Sequence, residues 1–287
     1  MITLNQDAPA AKPAGRSDSS HFYGWNEKAG WYPLYTPEKN YTLREARKDQ
    51  AAGVVAVPSV TTYFKCLNKQ QLLDWKMEQV ANACYDDQEA RSWERDEYVQ
   101  AMVARADNAS RPAADLGTAI HAAIELAIAD KDYEAGMDQY VQPVMKARAE
   151  LGIKSLGVET CCGSLGLGYG GKCDEYAEGF TIVDLKSRKS KPAKQPKVAS
   201  YSTDRLQTAS YGYALFGNDF FTKGRGIILG ISTTVPGLVT AHEFTGAELA
   251  DAFDAFIGLT KVWRFENSFD PRFLIPTGNH NIPQDAR

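Results

Sequence analysis

The chain has 287 residues, of which 44% are hydrophobic and 24% charged, and this length is enough for one large domain or for a core with accessory segments. No apolar run approaches the ~20 residues of a membrane helix and the first residues lack a signal-peptide pattern, so we expect a soluble, cytoplasmic protein without a membrane partner. The net charge of −4 excludes a globally basic protein, so any nucleic acid must bind to a local patch.

The N-terminal part divides into a leader, residues 1–20, and an aromatic-rich and helical region, residues 21–112. Short strands or ordered loops suit residues 21–60, where most aromatic side chains anchor the fold and base stacking is the rarer alternative. Thr42 and Glu45 form a capping-box pattern that predicts a short helix. A helix-rich block follows from about residue 61 to residue 107.

The next segment carries the clearest helical signal, over residues 113–135. Ile120, Ile124 and Ile128 recur every four residues and form an apolar stripe, which predicts a buried helix face. His121 and Glu125 are also four residues apart and share a neighbouring face. A second helix is expected from about Met137 to Leu151.

From Ser155 the pattern changes to strands. Residues 156–162 predict a strand that carries Glu159. Residues 170–177 and 180–187 predict a hairpin, and a loop from Glu178 to Phe180 would place Asp174 opposite Asp184. Alternation along a strand puts Asp184 and Lys186 on one face, with Leu185 on the other.

Two carboxylates and an ammonium group on one sheet face have two interpretations. Like charges repel, and a divalent cation such as Mg²⁺ or Mn²⁺ removes that cost because it prefers oxygen ligands. The alternative is an exposed polar strand face with a salt bridge. The hairpin alone does not decide between them.

A glycine-rich stretch from Gly166 to Lys172 matches two phosphate-loop patterns. Both patterns work only where a helix begins after the glycines, and here a strand is expected. We therefore expect a turn that leads into the hairpin. The five cysteines are odd in number and form no CxxC pair, which predicts reduced thiols.

After the hairpin, residues 186–197 are basic and contain no acidic residue. A helix is expected over residues 203–216 and presents Gln207 and Tyr211 on one face. A further hairpin (225–233 and 238–243), an amphipathic helix from Thr245 to Phe265 with a capping box at Glu248, and a coil tail complete the chain.

Four motifs in this order resemble the PD-(D/E)xK nuclease superfamily, in its RecB-like and Cas4-like branch, near bacteriophage-encoded and mitochondrial genome maintenance exonucleases. They are Gly117-Thr118-x-x-His121-x-x-x-Glu125, Gly171-x-x-Asp174, Asp184-Leu185-Lys186 and Gln207-x-x-x-Tyr211. The resemblance implies an α/β (α+β) restriction-endonuclease-like core over residues 113–267, with a central mixed sheet flanked by helices, and a tail over 268–287.

The resemblance also implies the chemistry. One or two Mg²⁺ or Mn²⁺ ions would be held by His121, Asp174, Asp184 and the main-chain carbonyl of Leu185, with Glu159 as a candidate extra ligand. Lys186 would orient or deprotonate the attacking water. Gln207 and Tyr211 would position the phosphate or support the other groups. No cysteine follows Cys173, so no iron–sulfur cluster is expected.

DNA, as ends or single strands, is the expected partner of the basic segment, because lysine and arginine bind the phosphate backbone. The residues expected there are Arg188, Lys189, Lys191, Lys194 and Lys197. The expected function is a metal-dependent DNA exonuclease of phage or prophage recombination, replication or degradation, in the host cytoplasm if phage-encoded.

Three alternatives stay open at this point. The first is an endonuclease. The second is a catalytically silent DNA-binding protein with a nuclease fold. The third is an interaction module in which the aromatic N-terminal segment recruits a recombinase, a polymerase or a single-strand-binding protein.

Overall fold

The computed structural model describes residues 21–36, 39–67, 70–86, 92–108, 111–190, 193–194 and 196–273. The predicted leader, residues 1–20, lies outside these residues, as do Lys191 and the tail from residue 274. None of the described helices is both long and apolar enough to span a lipid bilayer.

The aromatic segment forms a small antiparallel sheet. Its strands β1 (Phe22–Asn26), β2 (Gly30–Pro33) and β3 (Val57–Pro58) have the order β2-β1-β3. The predicted capping box holds the start of α1 (Leu43–Ala51), and a Ser59 cap starts α2 (Val60–Tyr63). The predicted capping box is confirmed, and α2 begins close to the expected start of the helix-rich block.

Helices α3 (Gln70–Asp86) and α4 (Arg95–Asn108) belong to one compact unit, whereas the described parts of 20–68 and 113–287 form another. The predicted region 21–112 therefore contributes residues to both units. Phe22 and Tyr63 are fully buried in the second unit, where the Tyr63 hydroxyl donates a hydrogen bond to the Gly168 carbonyl at 2.5 Å.

The predicted helix over 113–135 is shorter than expected, because α5 spans Arg111–Ile128. Asp130 adopts a left-handed φ of 55°, and the Lys131 amide donates back to the Leu126 carbonyl at 2.9 Å. This closes the helix, as left-handed residues commonly do. Helix α6 (Asp138–Glu150) follows, within its predicted bounds.

The main sheet has five strands in the order β4-β5-β6-β7-β8, and only β6 and β7 are parallel. The predicted mixed sheet flanked by helices is confirmed. The strands are β4 (Ser155–Ser164), β5 (Tyr169–Ala177), β6 (Thr181–Arg188), β7 (Arg225–Ser232) and β8 (Val239–Thr245). The crossover from β6 to β7 contains α7 (Ser202–Phe216) and α8 (Asp219–Lys223), and α9 (Gly246–Asn267) ends the fold.

Alternate residues of β6 pack into different cores. Val183 and Leu185 pack with Ile120 and other residues of α5 and α6, whereas Ile182 packs on the side of α7 and α9. The sheet is therefore covered on both faces. The strand that follows the glycine-rich turn is β5, so the phosphate-loop patterns lack their helix, and all five cysteines are free thiols.

Candidate metal centre

The centre of the site is the point where β5 leaves its partner β6. The last paired residues are Glu175 and Val183, so the next position in the same register sets Asp174 opposite Asp184. The loop between the strands is residues 178–180, as predicted. Instead of a ladder bond, the Asp174 carboxylate accepts a hydrogen bond from the Leu185 amide at 2.8 Å.

Strand β5 turns over at Asp174. Cys173 packs in the core on the side of α7 and α9, whereas Glu175 binds Arg148 of α6. Residues two apart in a regular strand share a face, so these contacts require a local reversal between them. As a result, the Asp174 side chain points toward His121 and Glu159 and does not pack in either core.

Glu159 lies beside Asp174 in the register between β4 and β5 and has a left-handed φ of 47°. A non-glycine residue in this conformation inside a strand is strained, and such strain collects at functional sites. The sequence contains no local signal for it. The strain places the Glu159 carboxylate next to the site instead of in regular alternation.

Three side chains bring metal-ligating atoms together. One ligand atom from each of His121, Glu159 and Asp174 lies within 4.8 Å of the other two, and His121 Nδ1 is 3.9 Å from Asp174 Oδ1. Carboxylate oxygens with an imidazole nitrogen suit Mn²⁺, and carboxylates also suit Mg²⁺. The structure thus joins two predicted ligands with the candidate third one.

Asp184 lies next to this triad but is not part of it. The residue is 1% exposed, and the Lys186 ammonium is 2.6 Å from its Oδ2 atom. Neither carboxylate oxygen accepts a well-formed hydrogen bond from the described residues. A buried carboxylate whose contact with a cationic group is one poorly aligned ammonium can take a bound cation as a further partner, so the donor set fits a divalent metal.

The charges of the site shift each other's pKa values. Burial, reinforced by Asp174, raises the pKa of Asp184 to about 6, although Lys186 opposes the shift. Burial also raises the pKa of Asp174. Burial and the nearby Lys186 lower the pKa of His121, so the imidazole is neutral at pH 7, as a metal ligand must be.

Lys186 is held as an ammonium. Burial lowers the pKa of the amine, but Asp184 and Asp174 outweigh burial and raise the pKa overall. An ammonium donates hydrogen bonds and stabilises negative charge, but cannot accept a proton. In the metal-free protein this charge state suits orienting a water, one of the two roles expected for Lys186, better than deprotonating it.

Two glycines of the motifs allow close packing at the site. A Cβ on Gly171 would lie 2.5 Å from Cε1 of Tyr211, and a Cβ on Gly117 would lie 2.7 Å from Oγ of Ser187. Helices α7 and α5 therefore approach β5 and β6 closely. On α7 the Gln207 amide donates to the Tyr211 hydroxyl at 3.2 Å.

The basic segment has two parts. Arg188 donates to both carboxylate oxygens of Asp204, at 2.7 and 2.6 Å, and its guanidinium lies 4.4 Å from the Tyr201 ring centroid. These contacts hold the end of β6 to the start of α7, which differs from the exposed DNA contact expected for Arg188. The exposed lysines of the segment are Lys189, Lys194 and Lys197.

Sequence reasoning missed two ion pairs. Lys172 pairs with Glu159 in the site, and Arg148 pairs with Glu175 behind it. Regular alternation would place Lys172, two residues before Asp174, on the same face of the strand, but β5 departs from that alternation at Asp174. Glu125, by contrast, is exposed on α5.

A scan against protein-family models finds no match to the chain. A search of the curated proteins finds no matching sequence either.

Proposed function

We propose that the chain is a Mg²⁺- or Mn²⁺-dependent deoxyribonuclease of the PD-(D/E)xK type, with exonuclease activity favoured. The observation that carries the proposal is the convergence of the His121, Glu159 and Asp174 ligand atoms within 4.8 Å, beside the buried Asp184–Lys186 pair. Three carboxylates, a neutral imidazole and an ammonium in one place match the needs of phosphodiester hydrolysis.

The residues would divide the work as follows. His121, Glu159 and Asp174 would bind the metal, and the neighbouring Asp184 carboxylate and the main-chain carbonyl of Leu185 would be further ligands. A bound Mg²⁺ or Mn²⁺ supplies Lewis-acid chemistry and charge neutralisation. The Leu185 amide fixes one Asp174 oxygen, which orients the carboxylate toward the site.

Lys186 would orient the attacking water and stabilise the negative charge that develops on the phosphate. Its side chain is 20% exposed, and its ammonium is held in place by Asp184. Fixed charges act strongly where water is partly excluded, because the local dielectric is low. The hydrogen-bonded pair of Gln207 and Tyr211 would support the phosphate from α7.

DNA would approach along the segment that follows β6. Lys189, Lys194 and Lys197 are exposed there and can bind phosphate oxygens, whereas Arg188 is held by Asp204. Removing the three lysines should weaken DNA binding and reduce its salt dependence. An Arg188 variant should instead lower stability, because it breaks a partly buried bidentate pair.

End-labelled duplex and single-stranded DNA with Mg²⁺ or Mn²⁺ tests the activity. We expect nucleotide release by the wild type and none by Lys186→Ala. Lys154→Ala is the matched control, since Lys154 is an exposed lysine just before β4 that forms a salt bridge with the exposed Glu178. No release with any metal, or release that Lys186→Ala leaves unchanged, would refute the proposal.

Covalently closed circular DNA separates the two modes of cleavage. An exonuclease needs an end and leaves the circle intact, whereas an endonuclease nicks or linearises it. DNA binding without hydrolysis under every metal condition would instead establish the silent DNA-binding alternative.

A further inference from the structure

Lys172 occupies a position in the site that the proposed hydrolysis does not use. It lies on β5 two residues before Asp174, and its ammonium contacts a carboxylate oxygen of Glu159. The Lys172 side chain is 44% exposed, and that of Glu159 is 23% exposed. The pair therefore sits at the mouth of the site, where solvent and ions can reach it.

Glu159 cannot easily be a purely structural partner for this lysine. Its φ of 47° is a costly way to make a half-exposed ion pair, which contributes only about 0–1 kcal/mol. The same conformation brings the carboxylate within ligand distance of His121 and Asp174. Glu159 thus has two competing partners, the ammonium of Lys172 and a cation held by the triad.

Charge balance indicates the direction of the competition. Three carboxylates (Glu159, Asp174 and Asp184) meet two ammonium groups (Lys172 and Lys186), so the cluster carries a net charge of −1. Without Lys172 the net charge is −2, which balances a divalent cation. The exposed ammonium is the one that can leave, because Lys186 is buried against Asp184.

We infer that Lys172 is an exchangeable counter-ion of the metal centre, which neutralises Glu159 in the metal-free protein and is displaced from it when a divalent cation binds. The inference rests on the metal-binding part of the proposed function. The displaced ammonium then lies at the mouth of the site, where it is free to bind a substrate phosphate.

Calorimetric titration of the full chain with Mn²⁺ tests the exchange without any activity assay. Because Lys172→Met removes the competitor, we expect Mn²⁺ to bind roughly three- to tenfold more tightly. The melting temperature in EDTA should fall slightly, and the rise on adding Mn²⁺ should grow. The control is Lys154→Met, because Lys154 is an exposed lysine with an exposed partner, Glu178. This variant should change neither the Mn²⁺ affinity nor the melting temperatures with and without Mn²⁺.

A second pair of variants tests whether Lys172 acts through its ion pair with Glu159 or only through its positive charge near the site. Glu159→Gln should weaken Mn²⁺ binding, and adding Lys172→Met in that background should change the affinity by less than about twofold. The inference is overturned if Lys172→Met leaves Mn²⁺ affinity unchanged or lowers it, or if it tightens binding equally with Gln at position 159.

The outcomes also separate this inference from the proposed function. Normal Mn²⁺ binding that Lys172→Met does not alter overturns the exchange and leaves the nuclease proposal standing. The expected gain in affinity without any DNA hydrolysis supports the exchange and refutes the nuclease. Absence of Mn²⁺ binding by the wild type overturns both.

Discussion

Two buried carboxylates on neighbouring strands of the main sheet, Glu175 and Asp184, each form an ion pair, and the two pairs differ in the hydrogen bonds that the carboxylate accepts. Arg148 of α6 donates to both carboxylate oxygens of Glu175, one of them at 3.0 Å, so every charged atom of the carboxylate has a partner. Asp184 and Lys186 are in contact, yet neither Asp184 oxygen accepts a well-formed hydrogen bond from the described residues.

The difference separates a structural pair from a functional one. Burying a charge is costly unless hydrogen bonds compensate it, and Glu175 has that compensation. Asp184 does not, and burial raises its pKa to about 6. Folding alone gives no reason to keep such a carboxylate, whereas a bound cation does.

The largest expected effect comes from Asp184→Asn, which keeps the shape and removes the charge. We expect DNA hydrolysis to fall on the order of 10⁴-fold, about 5.5 kcal/mol in the barrier. The melting temperature should stay within a few degrees of wild type, because the amide keeps the shape of the side chain and the Asp174 carboxylate remains near the Lys186 ammonium. Single-turnover rates and a thermal melt measure both. Retained activity would mean that the Asp184–Lys186 pair is structural, like the pair of Arg148 and Glu175.

The second effect comes from Arg148→Met, which leaves Glu175 buried without its partner. We expect a loss of about 3–5 kcal/mol in the free energy of unfolding, measured with urea, while the folded fraction keeps its activity. Lys146→Met on the same helix is the control, since Lys146 is exposed and pairs with Glu150 four residues on. Its effect should be below about 0.5 kcal/mol.

Adding Glu175→Met to Arg148→Met sharpens the comparison. The double variant replaces the pair by apolar side chains and should regain part of the lost stability. If Arg148→Met lowers the free energy of unfolding by less than about 1 kcal/mol, the hydrogen bonds of Glu175 do not make its pair with Arg148 more structural than the Asp184–Lys186 pair.

Local features of the site could be predicted because short-range rules govern them. The three-residue loop sets the register that brings Asp174 and Asp184 together, and strand alternation separates Leu185 from Lys186. The four-residue spacing of Gln207 and Tyr211 likewise predicts their contact on α7.

The remaining features depend on tertiary contacts that no local pattern encodes. The reversal of β5 at Asp174 requires α6 on one face and α7 on the other. The left-handed φ of Glu159, which lies opposite Asp174 in the register of β4 and β5, has no local sequence signal either. The sequence places Arg188 in a basic segment and so predicts that it binds DNA. Its partner Asp204 lies on another element, α7, and the contact between them cannot be inferred from the local sequence.

The third effect tests whether α7 must approach the site closely. Gly171→Ala sets a Cβ against the buried Tyr211 ring, and overpacking of this kind costs about 1–3 kcal/mol. We also expect lower activity, because the ring moves away from β5. Gly166→Ala is the control, since a Cβ there would meet nothing within 4 Å. Equal effects of both changes in urea unfolding would argue against close packing as the cause.

The smallest effect is the pH dependence of the metal-free protein. The folded-state pKa of Asp184, about 6, lies above the ordinary value of 3.8, so the folded state binds this proton more tightly than the unfolded state. Stability from this group therefore increases as the pH falls through 6 toward 4, and burial shifts Asp174 in the same direction.

In EDTA, the stability of wild type relative to Asp184→Asn should rise by about 1 kcal/mol between pH 8 and pH 5. Saturating Mn²⁺ should reverse the trend, because a cation binds the ionised carboxylates and competes with protons. Urea unfolding at several pH values measures the difference. A difference that does not change with pH would mean that Asp184 stays ionised in the folded state over this range and that burial does not raise its pKa, which would remove the main contrast with Glu175.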